Sequence, residues 1–341
     1  ARPAILGGEP VYNGKWPARW PQYNENLARK YLHDVLYSHR WTRPSGELVV
    51  RFEQEIKKAF GVKYAVSMNS GTSAMDCALN GCQIGPGDEV LVPAYTFISG
   101  VSLPLVNYAS PVLVDVDQET FQMDPDLIEE KITEHTRAIM LCHYSGSSAD
   151  MDRIMAIAGK HSLYVIEDAC MTGVAEWRGQ KLGTFGHANA IGHQKSKILP
   201  IGEGGTVLGN DREVMERAYS WHDYGRKIES WDTHRFIPDF WPGIGLNYKM
   251  TEFQAAVGLA NLEIWEDQMG EREKGGRYLD QVLPTIPGIC VQKHYEGCTR
   301  ASYYYCLIRY DKSHFHNLPV EKFVRALAAE GIPVTRDIWR S

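Results

Sequence analysis

Two lysines, Lys195 and Lys197, follow a β-type run that ends at Gly192 and precede the glycine-rich turn Gly202-Glu203-Gly204-Gly205. A lysine amine desolvated in such a pocket would have a lowered pKa and could form a Schiff base with a carbonyl. Upstream, Tyr164-Val165-Ile166-Glu167-Asp168 sets two acids at the end of an apolar run. That is the edge where open α/β sheets bind ligands, so an acid there can face a cation, although a solvated strand end is the plainer reading. Earlier still, Asn69-Ser70-Gly71-Thr72-Ser73 breaks a strand and enters a helix. The free amides of that helix start and the hydroxyls of Thr72 and Ser73 suit a phosphate, and an ordinary capped helix has the same residues. Each signal is weak alone. A phosphate cradle, a strand-end acid and a pocket lysine, in that order, are the parts a pyridoxal phosphate enzyme needs.

Other chemistries fit less well. Gly14-Lys15 lacks the upstream glycine of a P-loop, and Val207 stands where a dinucleotide fingerprint needs glycine. His143, Asp150 and Asp152 match no common metal-ligand spacing and are read as a hydrogen-bonded loop. Cys170 has no histidine near it in sequence and is read as a buried thiol. Tyr303-Tyr304-Tyr305 is assigned to packing on a strand with alternating faces.

These residues must be positioned by a fold of sufficient size. The 341 residues, 44% of them apolar, can bury a large core in about two domains. A net charge of -6 with no basic run argues against nucleic acid, and no stretch approaches a membrane span. The opening Ala1-Arg2-Pro3-Ala4 stretch lacks the apolar core of a signal peptide. The seven cysteines are dispersed, without a Cys-x-x-Cys pair, which fits reduced thiols and a cytoplasmic location. Strands are expected at 64–68, 89–92, 112–116, 138–142, 164–167, 188–192 and 206–208, with a helix over 48–60. This is the α/β alternation of a mostly parallel sheet with crossover helices. Thr251 to Gln254 reads as a capping box opening the largest helix. A large domain over 1–250 and a smaller α+β domain over 251–341 are expected, the latter with a strand near Tyr303 to Arg309 and a helix over 320–329.

In order along the chain, Asn69-Ser70-Gly71-Thr72, Pro93-Ala94-Tyr95-Thr96-Phe97, Ala149-Asp150-Met151-Asp152, Glu167-Asp168-Ala169, Lys197 five residues before Gly202-Glu203-Gly204-Gly205, and Asn247 through Gln254 resemble the DegT/DnrJ/EryC1/StrS sugar and cyclitol aminotransferases. The resemblance runs from the Trp16-Pro17 region to about residue 337. It implies the pyridoxal phosphate transferase fold type I, with pyridoxal 5'-phosphate as cofactor. It implies that Lys197, not Lys195, is the Schiff-base lysine and proton carrier, and that Asp168 pairs with the pyridine nitrogen. By the same resemblance Phe97 stacks on the ring, and Gly71, Thr72 and Ser73 hold the phosphate. Asn247 reaches the phosphate of a neighbouring subunit, and Met171 and Gln194 complete the site. The implied reaction takes an amino group from glutamate or glutamine to a keto-sugar or keto-cyclitol in secondary-metabolite, aminoglycoside-type biosynthesis, in a homodimer with shared sites. Trp41, Arg43, Trp221 and Arg226 are candidates for the pocket wall, and His222 to Arg226 resembles a loop near the site.

Three positions depart from the family pattern. Met171 replaces a hydrogen-bonding side chain, and its thioether cannot donate. Gly192 replaces a serine, for which Thr172, His193 or Lys195 could substitute. The chain also ends at Ser341, short of its relatives, so an incomplete small domain is expected. Other pyridoxal phosphate chemistry, as in a dehydratase, epimerase or oxidase, and a catalytically silent partner subunit are the alternatives.

Overall fold

The structure is a computed structural model that describes residues 2–13, 20–231, 233, 235–240 and 244–336, with 235–240 as backbone alone. Trp16 to Arg19, which carried part of the resemblance, and Gly14-Lys15 lie outside the described residues. The chain divides into two compact units, one of Tyr23–Lys274 and Lys293–Tyr305, the other of Ala1–Gln22, Gly275–Gln292 and Cys306–Ser341.

The larger unit is built on seven strands: β1 (Tyr64–Met68), β2 (Glu89–Pro93), β3 (Ser110–Val114), β4 (Thr136–Cys142), β5 (Tyr164–Asp168), β6 (Ala188–Gly192) and β7 (Gly205–Gly209). Their order is β1-β7-β6-β5-β4-β2-β3. β7 runs antiparallel to both of its neighbours, and the other pairings in the sheet are parallel. The strands read as nearly continuous apolar runs because both faces are covered, and alternate residues enter different cores. Val90, Val92, Met140 and Ile166 belong to one core, with α3 (Gly71–Gly81) and α6 (Arg212–His222). Leu91, Ile139, Leu141 and Val165 belong to the other, with α5 (Met151–His161). The register sets the ends of five strands side by side. Cys142 of β4 faces Asp168 of β5, Asp168 faces Ala190 of β6, and Gly205 of β7 faces both Gly192 and Met68.

Helices α1 (Glu25–Ser38), α2 (Leu48–Phe60), α4 (Ser99–Val106) and α7 (Glu252–Leu262) also belong to this unit. The capping box at Thr251 is present, with Gln254 Oε1 accepting from Thr251 N at 2.8 Å and Thr251 Oγ1 accepting from Gln254 N at 3.4 Å. The helix it opens is not the largest. It stops at Leu262, and the longer α8 (Trp265–Val282) continues through Gly275-Gly276. A helical glycine costs only about 1 kcal/mol relative to alanine, too little to end a helix by itself. α7 also fixes α2. Glu252 accepts from the backbone amides of Glu47, Leu48 and Val49 at 3.0, 2.7 and 3.1 Å, the donors of a helix start that has no other cap. Burial pushes the Glu252 carboxyl pKa up against the pull of these amides. Replacing Glu252 with alanine leaves three amides without acceptors and is expected to cost about 2–4 kcal/mol in urea unfolding. A loss under about 0.5 kcal/mol would show that water satisfies the amides as well as the carboxylate does.

In the smaller unit β8 (Ile289–Val291) pairs antiparallel with β9 (Ile308–Tyr310), and α9 (Val320–Ala329) lies where the sequence placed it. Tyr310 stacks on Phe323 at 4.4 Å. Glu330 accepts from the amides of Ala4 and Val11 at 2.8 and 2.9 Å, so the N-terminal segment groups with this unit. The division by contacts therefore differs from a boundary at residue 250. α7 belongs to the larger unit because it packs on α1 and α2. The strand expected from Tyr303 starts only at Ile308, and Tyr303 has a φ of 49°, outside the extended region.

Candidate active site

The site lies along the strand ends just described, within the larger unit. At the end of β1, Ser70 caps α3, its hydroxyl accepting from Ser73 N at 3.0 Å while Ser73 Oγ accepts from Ser70 N at 3.1 Å. Ser73 Oγ also lies 2.7 Å from Asn69 Oδ1 and 2.8 Å from the Ser70 carbonyl, either of which takes its single proton. Ser73 is therefore occupied in the cap, contrary to the expectation that it holds a phosphate. The amides of Gly71 and Thr72 precede the first helical acceptor position, and the exposed Thr72 hydroxyl stands beside them. These three donors form an anion seat.

Glu167 and Asp168 point to opposite faces of β5, as adjacent strand residues must. Glu167 is fully buried and accepts from Gly183 N, Phe185 N and Gly186 N, each at 2.7 Å, and from His143 Nε2 at 2.8 Å. His143 Nδ1 accepts from Ala149 N at 3.2 Å, so Nε2 carries the proton that Glu167 receives. This pair is structural. Asp150 caps α5, and Asp152 binds Trp177 and Arg178, so the loop is hydrogen-bonded as expected, and no cluster of metal-binding side chains occurs among the described residues. Asp168 is 5% exposed and accepts from Cys170 N at 3.0 Å, with the Cys170 thiol also bonded to it.

Lys197 rises from a turn that α7 holds on its C-terminal side: Asn261 Nδ2 donates to the Pro200 carbonyl at 2.6 Å and Gln254 Nε2 to that of Glu203 at 2.7 Å. Within this turn Gln194 Oε1 accepts from both N and Oγ of Ser196 at 2.7 Å. Burial works to lower the Lys197 pKa, as the sequence suggested, but nearby groups outweigh it and the net shift is upward. Those groups are Cys170, Tyr304, Asp168 and Cys142. Burial holds the thiols of Cys170 and Cys142 protonated, which leaves the Asp168 carboxylate as the charge acting on the lysine.

Gly192 has a packing reason. A Cβ there would lie 3.2 Å from both Cβ and Sγ of Cys170 and 3.6 Å from Lys197 Cε, and a Cβ on Gly71 would meet Gly192 Cα at 3.1 Å. Cys170 thus fills the space that a side chain at 192 would need. Gly192→Val is expected to cost about 1–3 kcal/mol in thermal unfolding through this overlap. Cys170→Ala in the same chain should recover part of the loss; simple additivity of the two changes would separate the positions.

Of the proposed substitutes for a serine at 192, Lys195 is exposed and the other two are buried in bonds of their own. His193 is buried, bonded to the Leu199 carbonyl and Thr206 Oγ1, and burial lowers its pKa to about 4. Thr172 is buried and donates to the Ala169 carbonyl at 2.9 Å. Met171 is buried too, its sulfur accepting from Ser145 N at 3.4 Å. Phe97 is half-buried in the turn whose Thr96 side chain and Phe97 amide bond the Cys142 thiol, one strand from Asp168. Asn247 is exposed, its backbone bridged to Asp223.

The proposed pocket wall is only partly realised. Arg43 is buried, paired with Glu53 at 2.9 Å and donating to His222 Nε2 at 3.0 Å, so it braces α2 against α6. Burial pushes the His222 pKa well down. Trp221 is pinned by Asp76 at 2.8 Å, while Trp41 stays 43% exposed. Asp223 joins Lys249 at 2.6 Å and Arg226 at 3.3 Å, which fixes the His222 to Arg226 loop. The sequence reading missed Tyr304, whose ring lies 5.0 Å from Lys197 Nζ. No spacing could have found it, because more than a hundred residues separate the two.

An anion seat at a helix start, a buried carboxylate and a lysine amine on one sheet edge match three of the polar groups of pyridoxal phosphate, its phosphate, ring nitrogen and aldehyde. The residues therefore fit that cofactor, and fold and site together define a pyridoxal phosphate-dependent transferase. Residues 22–339 match the DegT/DnrJ/EryC1/StrS aminotransferase family. The chain is 36% identical to an L-glutamine:scyllo-inosose aminotransferase of Streptomyces griseus, over 98% of this chain and 80% of the relative. It superposes on the crystal structure of 3-amino-5-hydroxybenzoic acid synthase with a TM-score of 0.83 at 31% identity, covering 92% of this chain and 80% of the other. NtdA of Bacillus subtilis, solved with bound cofactor PMP, gives a TM-score of 0.76 at 25% identity over 86% and 65%. The chain belongs to the DegT/DnrJ/EryC1/StrS family and is a pyridoxal phosphate-dependent aminotransferase.

Proposed function

We propose that this aminotransferase takes the amino group of L-glutamine and delivers it to a keto-cyclitol, in the biosynthesis of an aminocyclitol antibiotic. The observation that carries the reading is its likeness, over nearly the whole chain, to a relative named for glutamine and scyllo-inosose. When bound, pyridoxal phosphate supplies a carbonyl that exchanges for the donor's amine and a ring that withdraws electrons from the substrate carbon. The chain supplies the rest. The amides of Gly71 and Thr72, with the Thr72 hydroxyl, hold the phosphate. Phe97 covers the ring face. Asp168 keeps the proton on the ring nitrogen through its negative charge. Lys197 anchors the cofactor and, once released, moves a proton on and off the substrate carbon.

The same reading makes the protein a homodimer in which Asn247 reaches the neighbouring subunit's phosphate. Its support is an apolar surface on α4 and edge strand β3, where Leu105, Val106, Tyr108 and Leu113 are all more than half exposed. Seven unpaired cysteines support a cytoplasmic location. The test is an absorbance spectrum of the protein with pyridoxal phosphate, before and after L-glutamine, then with scyllo-inosose. Loss of the lysine-bound band with glutamine and its return with the ketone bears the reading out. A band on Lys197 that ignores both glutamine and glutamate overturns it in favour of other pyridoxal phosphate chemistry.

A further inference from the structure

We propose that Tyr304 is a positioning residue for Lys197, its ring face receiving the lysine ammonium whenever that amine is not joined to the cofactor. Lys197 Nζ lies 5.0 Å from the ring centroid, inside the roughly 6 Å range in which the negative face of an aromatic ring attracts a cation. The ring is fixed from the lysine's own turn. Ser196 has one hydroxyl proton, and Gln194 Oε1, which can only accept, takes it at 2.7 Å. The Tyr304 hydroxyl, 2.8 Å from Ser196 Oγ, is therefore the donor to that oxygen. The other side of the ring is held through the backbone: Tyr304 N donates to the Ser145 carbonyl at 2.9 Å, and Ser145 Oγ donates to the Tyr305 carbonyl at 2.7 Å.

Residue 304 and residue 197 are thereby held against each other by groups that neither could supply alone. The lysine faces four groups: the Asp168 carboxylate, the thiols of Cys170 and Cys142, and Tyr304. With both thiols protonated, the Asp168 carboxylate is the charge that favours the ammonium against burial, and the Tyr304 ring face stands beside the amine at 5.0 Å. Once cofactor occupies Asp168, the ring face remains as the partner of a free, charged lysine. It keeps the amine from folding back into the turn between its two proton transfers.

The inference rests on the reading of Lys197 as the proton carrier, and the two can fail separately. That reading is tested with bound cofactor, whereas the contact is tested without it. Cofactor-free protein is labelled with trace acetic anhydride across the lysine titration range, and acetylation of the Lys197 peptide is quantified by mass spectrometry, with the Lys195 peptide as internal reference. The midpoint of the profile reports the amine's pKa, and its plateau reports access. Tyr304→Leu is expected to lower the midpoint, raising Lys197 labelling about fivefold at a fixed pH below it, while Tyr304→Phe, which keeps the ring, stays near wild type. Mere exposure of the lysine would relieve its burial and move the midpoint the other way. An unchanged or raised midpoint in Tyr304→Leu overturns the proposal, as does a Tyr304→Phe profile shifted as far as that of Tyr304→Leu. If the leucine variant does not fold, Tyr304→Met, which keeps bulk without a ring face, is read by the same criteria.

Discussion

Lys197→Ala is expected to lower kcat by ~10⁴-fold or more, because one amine both anchors the cofactor and moves the substrate proton. The turn that carries it is held by Asn261 and Gln254 rather than by the lysine itself, so the variant should fold normally. Its thermal transition should stay close to that of the wild type. Borohydride reduction of the loaded protein should no longer leave the cofactor on the 197 peptide, and a small primary amine in the buffer should restore part of the rate. Lys195→Ala, two residues away and exposed, is the parallel variant and should retain near-normal turnover. Turnover of Lys197→Ala within about tenfold of the wild type, together with loss in Lys195→Ala, would reassign the role to Lys195.

The second large effect is expected at Asp168. Asp168→Asn keeps an oxygen that can accept from Cys170 N, so the local structure survives while the charge is lost. A loss of about 10²–10³-fold in kcat is expected, the scale on which one preorganised electrostatic group acts in a water-excluded site. The same change has a sign that can be read without turnover. Burial pulls the Lys197 pKa below 10.5 and the surrounding groups carry it above, so removing the Asp168 charge should bring it down. In wild-type protein without cofactor the folded pKa exceeds the unfolded one. The resulting stabilisation is complete below the ordinary lysine range and disappears as pH climbs through the raised value. In Asp168→Asn that alkaline loss should begin at lower pH. A variant with full kcat and an unmoved Lys197 titration would remove Asp168 from the site.

Much of the fold follows from local patterns. β1 and β6 lie within the residues read from their apolar runs, α2 from its i, i+4 repeat, and α7 opens at its capping box. Those signals are short-range, and the structure has no reason to override them. The largest helix is α8 rather than the one opened at Thr251, because the small cost of Gly275-Gly276 is offset inside a long helix. The domain boundary misled because a helix announces where it starts but not what it packs against.

The sequence by itself determined the order of the chemical parts: an anion-binding helix start, then a strand-end acid, then a lysine ahead of a glycine turn. It determined them because each depends on residues that are neighbours in the chain. Only the tertiary structure decided which of those side chains are free to act. Ser73 is consumed by its cap, His193 and Arg43 are buried in structural bonds, and Lys197 has a raised rather than a lowered pKa because the groups around it, Cys170, Tyr304, Asp168 and Cys142, outweigh its burial. Tertiary structure alone also brings Cys170 into the space beside Gly192, and Tyr304 to Lys197. Those contacts join strand ends and a segment far apart in sequence, and the sheet's strand order and register, not any local spacing, fix which of them meet.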